Sequence, residues 1–171
     1  MKSGVKQQVN MYSKGGKEMS LEKIRQDYKS FNEAVKEIFG ENAEITKRDY
    51  VYGGSINDSR KMSLSTGDII FVKTNTIENK KFFETEIAGL KALDSVGKIG
   101  VPEILGSGTD QDKGVSFLIL EYLESPSKIE NYWEEFGHQL AGLHKAECSR
   151  FVPSDNGKER YGFLEDNFIG A

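Results

Sequence analysis

The spacing of apolar positions changes several times along the chain, and each change predicts a new element. After residues 1–18, which show neither helix nor strand spacing, apolar side chains recur at alternating steps of three and four: Leu21, Ile24, Tyr28, Phe31, Val35 and Ile38. This spacing puts them on one face of a helix. Ser20 suits the N-cap, and Gly40 is a stop signal. The pattern predicts a helix that starts after Ser20 and ends at Phe39.

The segment between that helix and residue 123 is predicted to form strands and a second helix. Short apolar runs bounded by turn residues predict strands at residues 45–53, 61–65, 69–73, 103–108 and 115–122. Helical spacing predicts a helix from about Asn79 to Ser95, which Gly97 and Pro102 follow. Because short turns join the strands, we predict an α+β fold, with a mainly antiparallel five-stranded sheet and the helices to one side.

A third helix is predicted over about residues 129–147. It is amphipathic, and its apolar face carries Trp133, Phe136, Leu140 and Leu143. The sequence from there to Ala171 is loop-like. Residues 1–18 are predicted to be a disordered tail, or an extension upstream of a true translation start at Met19.

Composition and charge narrow the classes of protein. The chain has 171 residues, of which 37% are hydrophobic and 11% aromatic, which suits one folded domain or one lobe of a larger one. A formal net charge of −4 gives no electrostatic reason to expect a nucleic-acid or membrane partner. Cys148 is the only cysteine, so an internal disulfide is excluded and a cytoplasmic location is expected.

The candidate chemistry centres on a lysine and a glutamate. Lys73 ends an apolar strand and shares one face of it with Phe71, because side chains alternate along a strand. In the following helix, Glu86 falls among the apolar positions, whereas Glu84 lies on the opposite, polar side. A carboxylate in a buried stripe is costly unless it is paired. We therefore predict an ion pair between Lys73 and Glu86.

Two flanking segments add to this pair. The turn Gly53-Gly54-Ser55-Ile56-Asn57 lies before Lys73, and glycines let backbone amides approach an anion. It matches neither the dinucleotide fingerprint nor the P-loop pattern. The apolar run from Phe117 to Leu123 leads from a strand into a polar linker. Each segment alone would be read as an ordinary turn or core strand.

Taken in order, these segments resemble the fructosamine kinase (ketosamine-3-kinase) family. This family is part of the aminoglycoside- and choline-kinase-like phosphotransferases, which have a protein-kinase-like fold. The matching stretches are residues 53–57, 71–75, 83–86, 89–93, 101–102, 117–123, 137–144, 161–163 and 167–170. The resemblance implies a kinase-like N-lobe with its hinge at residues 19–123 and the truncated start of a C-lobe at residues 124–171.

The resemblance also implies roles for individual residues. Family members use ATP and magnesium (Mg2+) to phosphorylate a sugar hydroxyl of ketoamine adducts on amines. Lys73 would hold the α- and β-phosphates, Glu86 would orient Lys73, and residues 53–57 would cover the phosphates. The remaining candidate nucleotide-binding residues are Phe71 and the hinge residues Glu121, Tyr122 and Leu123. The backbones of Glu121 and Leu123 would bind adenine.

The chain departs from the family at the catalytic loop. That loop carries His-Gly-Asp followed by Asn, and a later Asp binds metal. Here His138 is followed by Gln139 and His144 by Lys145. We therefore predict no catalytic residue and no metal ligand within this chain, and no activity from the chain alone. For both histidines a packing or surface role is predicted.

The sequence leaves two alternative functions open. The chain could be part of an aminoglycoside- or choline-type kinase, although residues 161–163 and 167–170 favour the ketoamine group. It could also be a non-catalytic nucleotide-binding or interaction module. In that case the apolar face of the helix at residues 129–147 would meet a partner or a second copy of the chain.

Overall fold

The computed structural model describes residues 24–51, 57–124 and 130–146. Its elements are α1 (Phe31–Phe39), β1 (Ile45–Tyr50), β2 (Asp58–Leu64), β3 (Ile69–Thr76), α2 (Lys80–Val96), β4 (Ile104–Asp110), β5 (Val115–Glu121) and α3 (Tyr132–His144). A short 3-10 turn, Ile77–Asn79, leads into α2. The predicted order of helices and strands is confirmed. Most observed boundaries differ from the predicted ones by a few residues.

The five strands form one antiparallel sheet. Their order is β1-β2-β3-β5-β4, and every neighbouring pair is antiparallel. The α+β class and the five-stranded sheet are therefore confirmed. The sheet order places β3, which carries Lys73, in the centre, with two strands on each side.

Both faces of the sheet carry an apolar core, which corrects the prediction that the helices lie on one side. Along β3, Ile70 and Val72 pack with Val35 of α1. The intervening Phe71 packs on the opposite face, in the cluster that contains Phe83 of α2. Because successive strand residues point to opposite faces, α1 and α2 cover different faces of the sheet.

The first helix is shorter than predicted. It begins at Phe31, and its N-cap is Ser30, whose Oγ accepts a hydrogen bond from the backbone N–H of Glu33. Residues 24–27 are not helical. The predicted N-cap, Ser20, lies outside the described residues. The predicted end at Gly40 is confirmed, with a φ of 108° at that glycine.

Residues 25–28 form an N-terminal strap that runs alongside β4. Tyr28 forms a parallel bridge with Gly108. The Ser107 N–H donates to the Arg25 carbonyl at 3.3 Å, and the Thr109 N–H donates to the Tyr28 carbonyl at 2.9 Å. A Cβ on Gly108 would lie 2.2 Å from the Tyr28 carbonyl oxygen, so only glycine permits this close approach.

A buried carboxylate joins α1 to the turn between β4 and β5. Asp110 is 2% exposed. Its Oδ2 accepts from the Phe31 N–H at 3.3 Å and from Lys113 Nζ at 2.9 Å, and its Oδ1 accepts from the Lys113 N–H at 3.2 Å. This one side chain therefore satisfies backbone donors in two elements that are far apart in sequence.

The third helix, α3, presents aromatic side chains to solvent. Trp133 is 67% exposed, and Tyr132 and Phe136 lie beside it at 39% and 38%. In the described part of the chain, no helix is both long and apolar enough to cross a membrane. The division into an extension, an N-lobe and a truncated C-lobe remains a prediction, and residues 1–18 lie outside the described ranges.

Candidate functional site

The predicted ion pair is present. Lys73 Nζ lies 2.6 Å from Glu86 Oε1, and the two side chains are 24% and 27% exposed. Glu84 instead pairs with Lys80 on the outer surface of α2. The predicted sorting of the two glutamates between the sheet side and the solvent side of the helix is therefore confirmed.

The geometry of this pair suits an anionic ligand. The Lys73 ammonium has three N–H donors, and one of them donates to Glu86 Oε1. The bond to Glu86 fixes the position of the ammonium. Because the two side chains are about one quarter exposed, a ligand can still reach it. A carboxylate that holds a lysine in this way orients a positive charge without burying it completely.

The strand register shows which side chains share the sheet face with Lys73. Lys73 lies opposite Ser59 of β2, and Phe71 lies opposite Lys61. On the other side of β3, Phe71 lies opposite Leu120 of β5. One face of the sheet thus carries the Lys73 ammonium and, two residues away, Phe71 beside Leu120, an arrangement suited to a ligand with both a charged and a flat apolar part.

The predicted hinge begins at Glu121, the last residue of β5. The Glu121 N–H donates to the Glu103 carbonyl at 2.8 Å, while the Glu103 N–H donates to the Glu121 carboxylate at 3.3 Å. The Glu121 carbonyl oxygen therefore stays outside this pairing. The next residue, Tyr122, has the Lys61 ammonium 4.3 Å above its ring centroid, and Leu123 is 49% exposed.

Two carboxyl groups, those of Glu103 and Glu121, lie close together beside the hinge. Partial burial raises the pKa of Glu103, and the negative charge of Glu121 raises it further. These two acidic groups therefore lie at the end of β5, whereas the face that carries Lys73 also carries the cationic Lys61.

Of the predicted phosphate-covering turn at residues 53–57, the structure describes only Asn57. Gly53, Gly54, Ser55 and Ile56 lie outside the described residues, so their role over the phosphates remains a prediction. Asn57 is described, and its Oδ1 accepts a hydrogen bond from Asn75 Nδ2 at 2.7 Å.

Sequence reasoning missed three polar residues close to these candidates, namely Asn75, Asn79 and Lys61. Asn75 is bonded to Asn57 and Asn79, and Lys61 covers the ring of Tyr122. The contacts of Asn75 with Asn57 and of Lys61 with Tyr122 depend on how the strands pair, which no local spacing in the sequence specifies.

Both histidines are exposed residues of α3. His138 is 74% exposed and lies 3.9 Å from Glu134, and His144 is exposed at the end of α3. Across residues 24–51, 57–124 and 130–146, no three His, Cys, Asp or Glu side chains are grouped to hold a metal ion. Cys148 lies outside the described residues.

Fold and site together match the protein-kinase-like fold, in which a strand lysine pairs with a helix glutamate. Residues 27–171 match the family model described as fructosamine kinase. The chain belongs to the fructosamine kinase family.

Individual relatives agree with this assignment. A probable ketoamine kinase of Synechocystis sp. is 30% identical over 145 residues, which cover 84% of this chain and 45% of the relative. A chloroplastic protein-ribulosamine 3-kinase of Arabidopsis thaliana is 33% identical over 132 residues, which cover 77% and 37%. The chain therefore spans less than half the length of these relatives.

A solved structure supports the fold. The crystal structure of a candidate fructosamine-3-kinase from Haemophilus somnus superposes with a TM-score of 0.67 at 27% sequence identity. The match covers 83% of this chain and 44% of that one. The similarity therefore includes most of the described elements and is not confined to the sheet.

Proposed function

We propose that this chain is the ATP-binding portion of a kinase that phosphorylates ketoamine sugar adducts. Lys73 holds the α- and β-phosphates of ATP, and Glu86 keeps the ammonium in place. The backbone groups of Glu121 and Leu123 bind the adenine edge. The observation that carries the proposal is the 2.6 Å ion pair that joins the central strand β3 to α2.

The residues present fit a nucleotide. ATP supplies the phosphoryl group, and the enzyme's task is mainly to position it and to balance its charge. The Lys73 ammonium provides a fixed positive charge for the phosphates. Phe71, two residues before it on the same face, gives the base an apolar surface. The backbone of the hinge at residues 121–123 would provide hydrogen-bonding groups beyond that surface.

The residues that the structure describes do not fit magnesium. The described residues hold no group of ligands for it, and neither histidine in the sequence begins a His-Gly-Asp motif. We therefore propose that these 171 residues lack the general base and the metal ligands for phosphoryl transfer.

A non-catalytic interaction module is the second candidate function. Its support is the aromatic surface of α3, where Trp133 is 67% exposed beside Tyr132 and Phe136. An aminoglycoside- or choline-type activity has less support, because the relatives described above are named as ketoamine and ribulosamine kinases.

A nucleotide titration tests the proposed phosphate site. Adding ATP to the isotope-labelled chain should shift the backbone amide resonances of residues 71–73 and 121–123, with an affinity in the millimolar range. We expect weak binding because only one positive charge and one wall of the cleft contact the nucleotide. Lys73→Met should abolish the shifts near residue 73, because the ammonium is removed while the side-chain length is nearly kept.

Lys80→Met is the matched control, because Lys80 is an exposed lysine whose partner, Glu84, lies on the outer side of the same helix. It should leave the ATP shifts unchanged. Equal shifts in wild type and Lys73→Met, or none in wild type, would refute the phosphate site. Micromolar binding of ATP with magnesium would refute the incompleteness of the cleft.

Turnover is a separate test. We expect no ADP formation when the chain is incubated with ATP, magnesium and fructoselysine, since no residue is available to accept the hydroxyl proton. A coupled ADP assay measures this directly. Turnover that depends on fructoselysine and disappears in Lys73→Met would show that the chain is catalytically complete.

A further inference from the structure

The corner between β3 and α2 is tied together by one amide side chain. Asn75 Nδ2 donates to Asn57 Oδ1 at 2.7 Å, and Asn75 Oδ1 accepts from Asn79 Nδ2 at 2.9 Å. The same Oδ1 accepts from the Thr76 N–H at 2.7 Å. Asn75 therefore connects the residue before β2, the end of β3 and the residue before α2.

These bonds lie on the face of the sheet that carries Lys73. Asn75 follows Lys73 by two residues on β3, so the two side chains point to the same face. Asn57 precedes Ser59 by two, and Ser59 is the cross-strand neighbour of Lys73. The amide network thus borders the ammonium on the side from which α2 begins.

The second bond of the network reaches the start of α2. Asn79 is the last residue of the 3-10 turn Ile77–Asn79 and directly precedes Lys80, the first residue of α2. Its side chain makes no cap hydrogen bond to α2, and its Nδ2 donates to Asn75. The start of α2 is therefore anchored to β3.

A buried hydroxyl fixes the same corner from β5. Ser116 is fully buried, and its Oγ donates to the Thr76 carbonyl at 2.9 Å and lies 3.4 Å from the Asn75 carbonyl. The backbone at Asn75 is thus held from the neighbouring strand while its side chain holds Asn57 and Asn79. A corner fixed from both sides leaves α2 little freedom to shift along β3.

The position of α2 decides whether the ion pair can form. Glu86 lies in the second turn of α2, and the helix buries only Phe83, Thr85 and Ile87 among its described residues. Because few side chains of the helix are buried, we expect that loss of the bond at Asn79 would let the carboxylate move away from its 2.6 Å contact with Lys73.

We infer that Asn75 is a positioning residue that sets α2 and thereby the Lys73–Glu86 pair. The meaning of the pair for ATP rests on the proposed function, but the positioning itself does not. Asn75 needs no contact with a ligand for this role, since it acts through Asn79 and the first turn of α2.

The reactivity of Lys73 towards an acylating reagent tests this inference without nucleotide. An ammonium held by a carboxylate reacts more slowly than a free one, and mass spectrometry reports the rate for each lysine. Glu86→Gln gives the rate of Lys73 without its partner. Asn75→Ala should bring the Lys73 rate most of the way to that value, a several-fold increase, while Lys80 in the same sample stays unchanged.

Two variants separate positioning from general loss of stability. Asn75→Asp keeps the acceptor for Asn79 and loses the donor to Asn57, so the Lys73 rate should lie between wild type and Asn75→Ala. Ser30→Ala removes the cap of α1 on the other face of the sheet and should lower stability without changing the Lys73 rate. Asn79→Ala replaces Asn75→Ala if the latter fails to fold.

The inference is wrong if Asn75→Ala lowers stability and leaves the Lys73 rate at the wild-type value. It is also wrong if Glu86→Gln leaves that rate unchanged, since there would then be no pair in solution to position. A failed ATP titration with a normal acylation result would refute the proposed function and leave this inference standing.

Discussion

Replacing Gly108 by alanine is expected to detach the N-terminal strap and to lower the free energy of unfolding by about 3 kcal/mol. The added Cβ would lie 2.2 Å from the carbonyl oxygen of Tyr28 and 2.8 Å from its carbonyl carbon. These are backbone atoms, so they cannot rotate away as a flexible side chain would. The strap would have to leave β4, which would expose the Tyr28 ring that is now 3% exposed.

Urea unfolding measures the loss, and amide hydrogen exchange locates it. The Thr109 N–H should exchange faster, because its acceptor is the Tyr28 carbonyl. Gly100→Ala is the matched control, since a Cβ there meets no atom within 4 Å. Similar stability for the two variants would contradict the close packing of the strap.

Replacing Asp110 by asparagine is the second change with a large expected effect, a loss of about 2 kcal/mol at neutral pH. The carboxylate is 2% exposed and accepts three hydrogen bonds, one of them from the Lys113 ammonium. An amide of the same shape would face the Phe31 N–H or Lys113 with a donor instead of an acceptor. Urea unfolding of Asp110→Asn beside Asp112→Asn, an exposed neighbour in the same turn, measures the difference.

The same carboxylate gives stability a defined pH dependence. Burial alone would raise the pKa of Asp110, but the hydrogen bonds from Lys113 and the Phe31 N–H outweigh it and lower the pKa below its ordinary value of 3.8. A lowered pKa means that the stabilisation is complete above 3.8 and is lost as the pH falls further. The gap between wild type and Asp110→Asn should therefore be constant down to about pH 5 and narrow in stronger acid. A gap that stays constant into strong acid would contradict the charge-based explanation.

The Lys73–Glu86 ion pair was predictable because the side-chain periodicities of a strand and of a helix were enough to place both residues. Alternation along a strand placed Lys73, and the helical period placed Glu86 towards the sheet and Glu84 away from it. Asn75 was not predictable in the same way. Its contact with Asn57 depends on the pairing register of β2 and β3, which is a tertiary property.

The start of the first helix shows how a long-range contact can mislead a local pattern. Tyr28 fits the helical spacing, yet its ring is buried because it packs over the glycines of β4. The correct start did have a local signal. Ser30 and Glu33 have the Ser-x-x-Glu spacing of a capping box, and Glu33 accepts from the Lys29 N–H at 2.7 Å.

The prediction that all helices lie on one side of the sheet was wrong for a physical reason. Short connections between strands indicated antiparallel pairing correctly, but they do not show whether one face or both are covered. The unbroken apolar run in β5, from Phe117 to Leu120, was the available signal. Strands that are apolar at consecutive positions are buried on both faces, and here α1 and α2 provide the two covers.

The N-terminal strap also bears on solubility. β4 is the last strand in the sheet order, and its outward backbone groups would be open to other chains if residues 25–28 were absent. Exposed strand edges are common starting points for aggregation. A shortened protein that begins at Phe31 would keep every candidate ATP-contacting residue and still be prone to precipitate, so shorter versions for functional work need to retain residues 24–30.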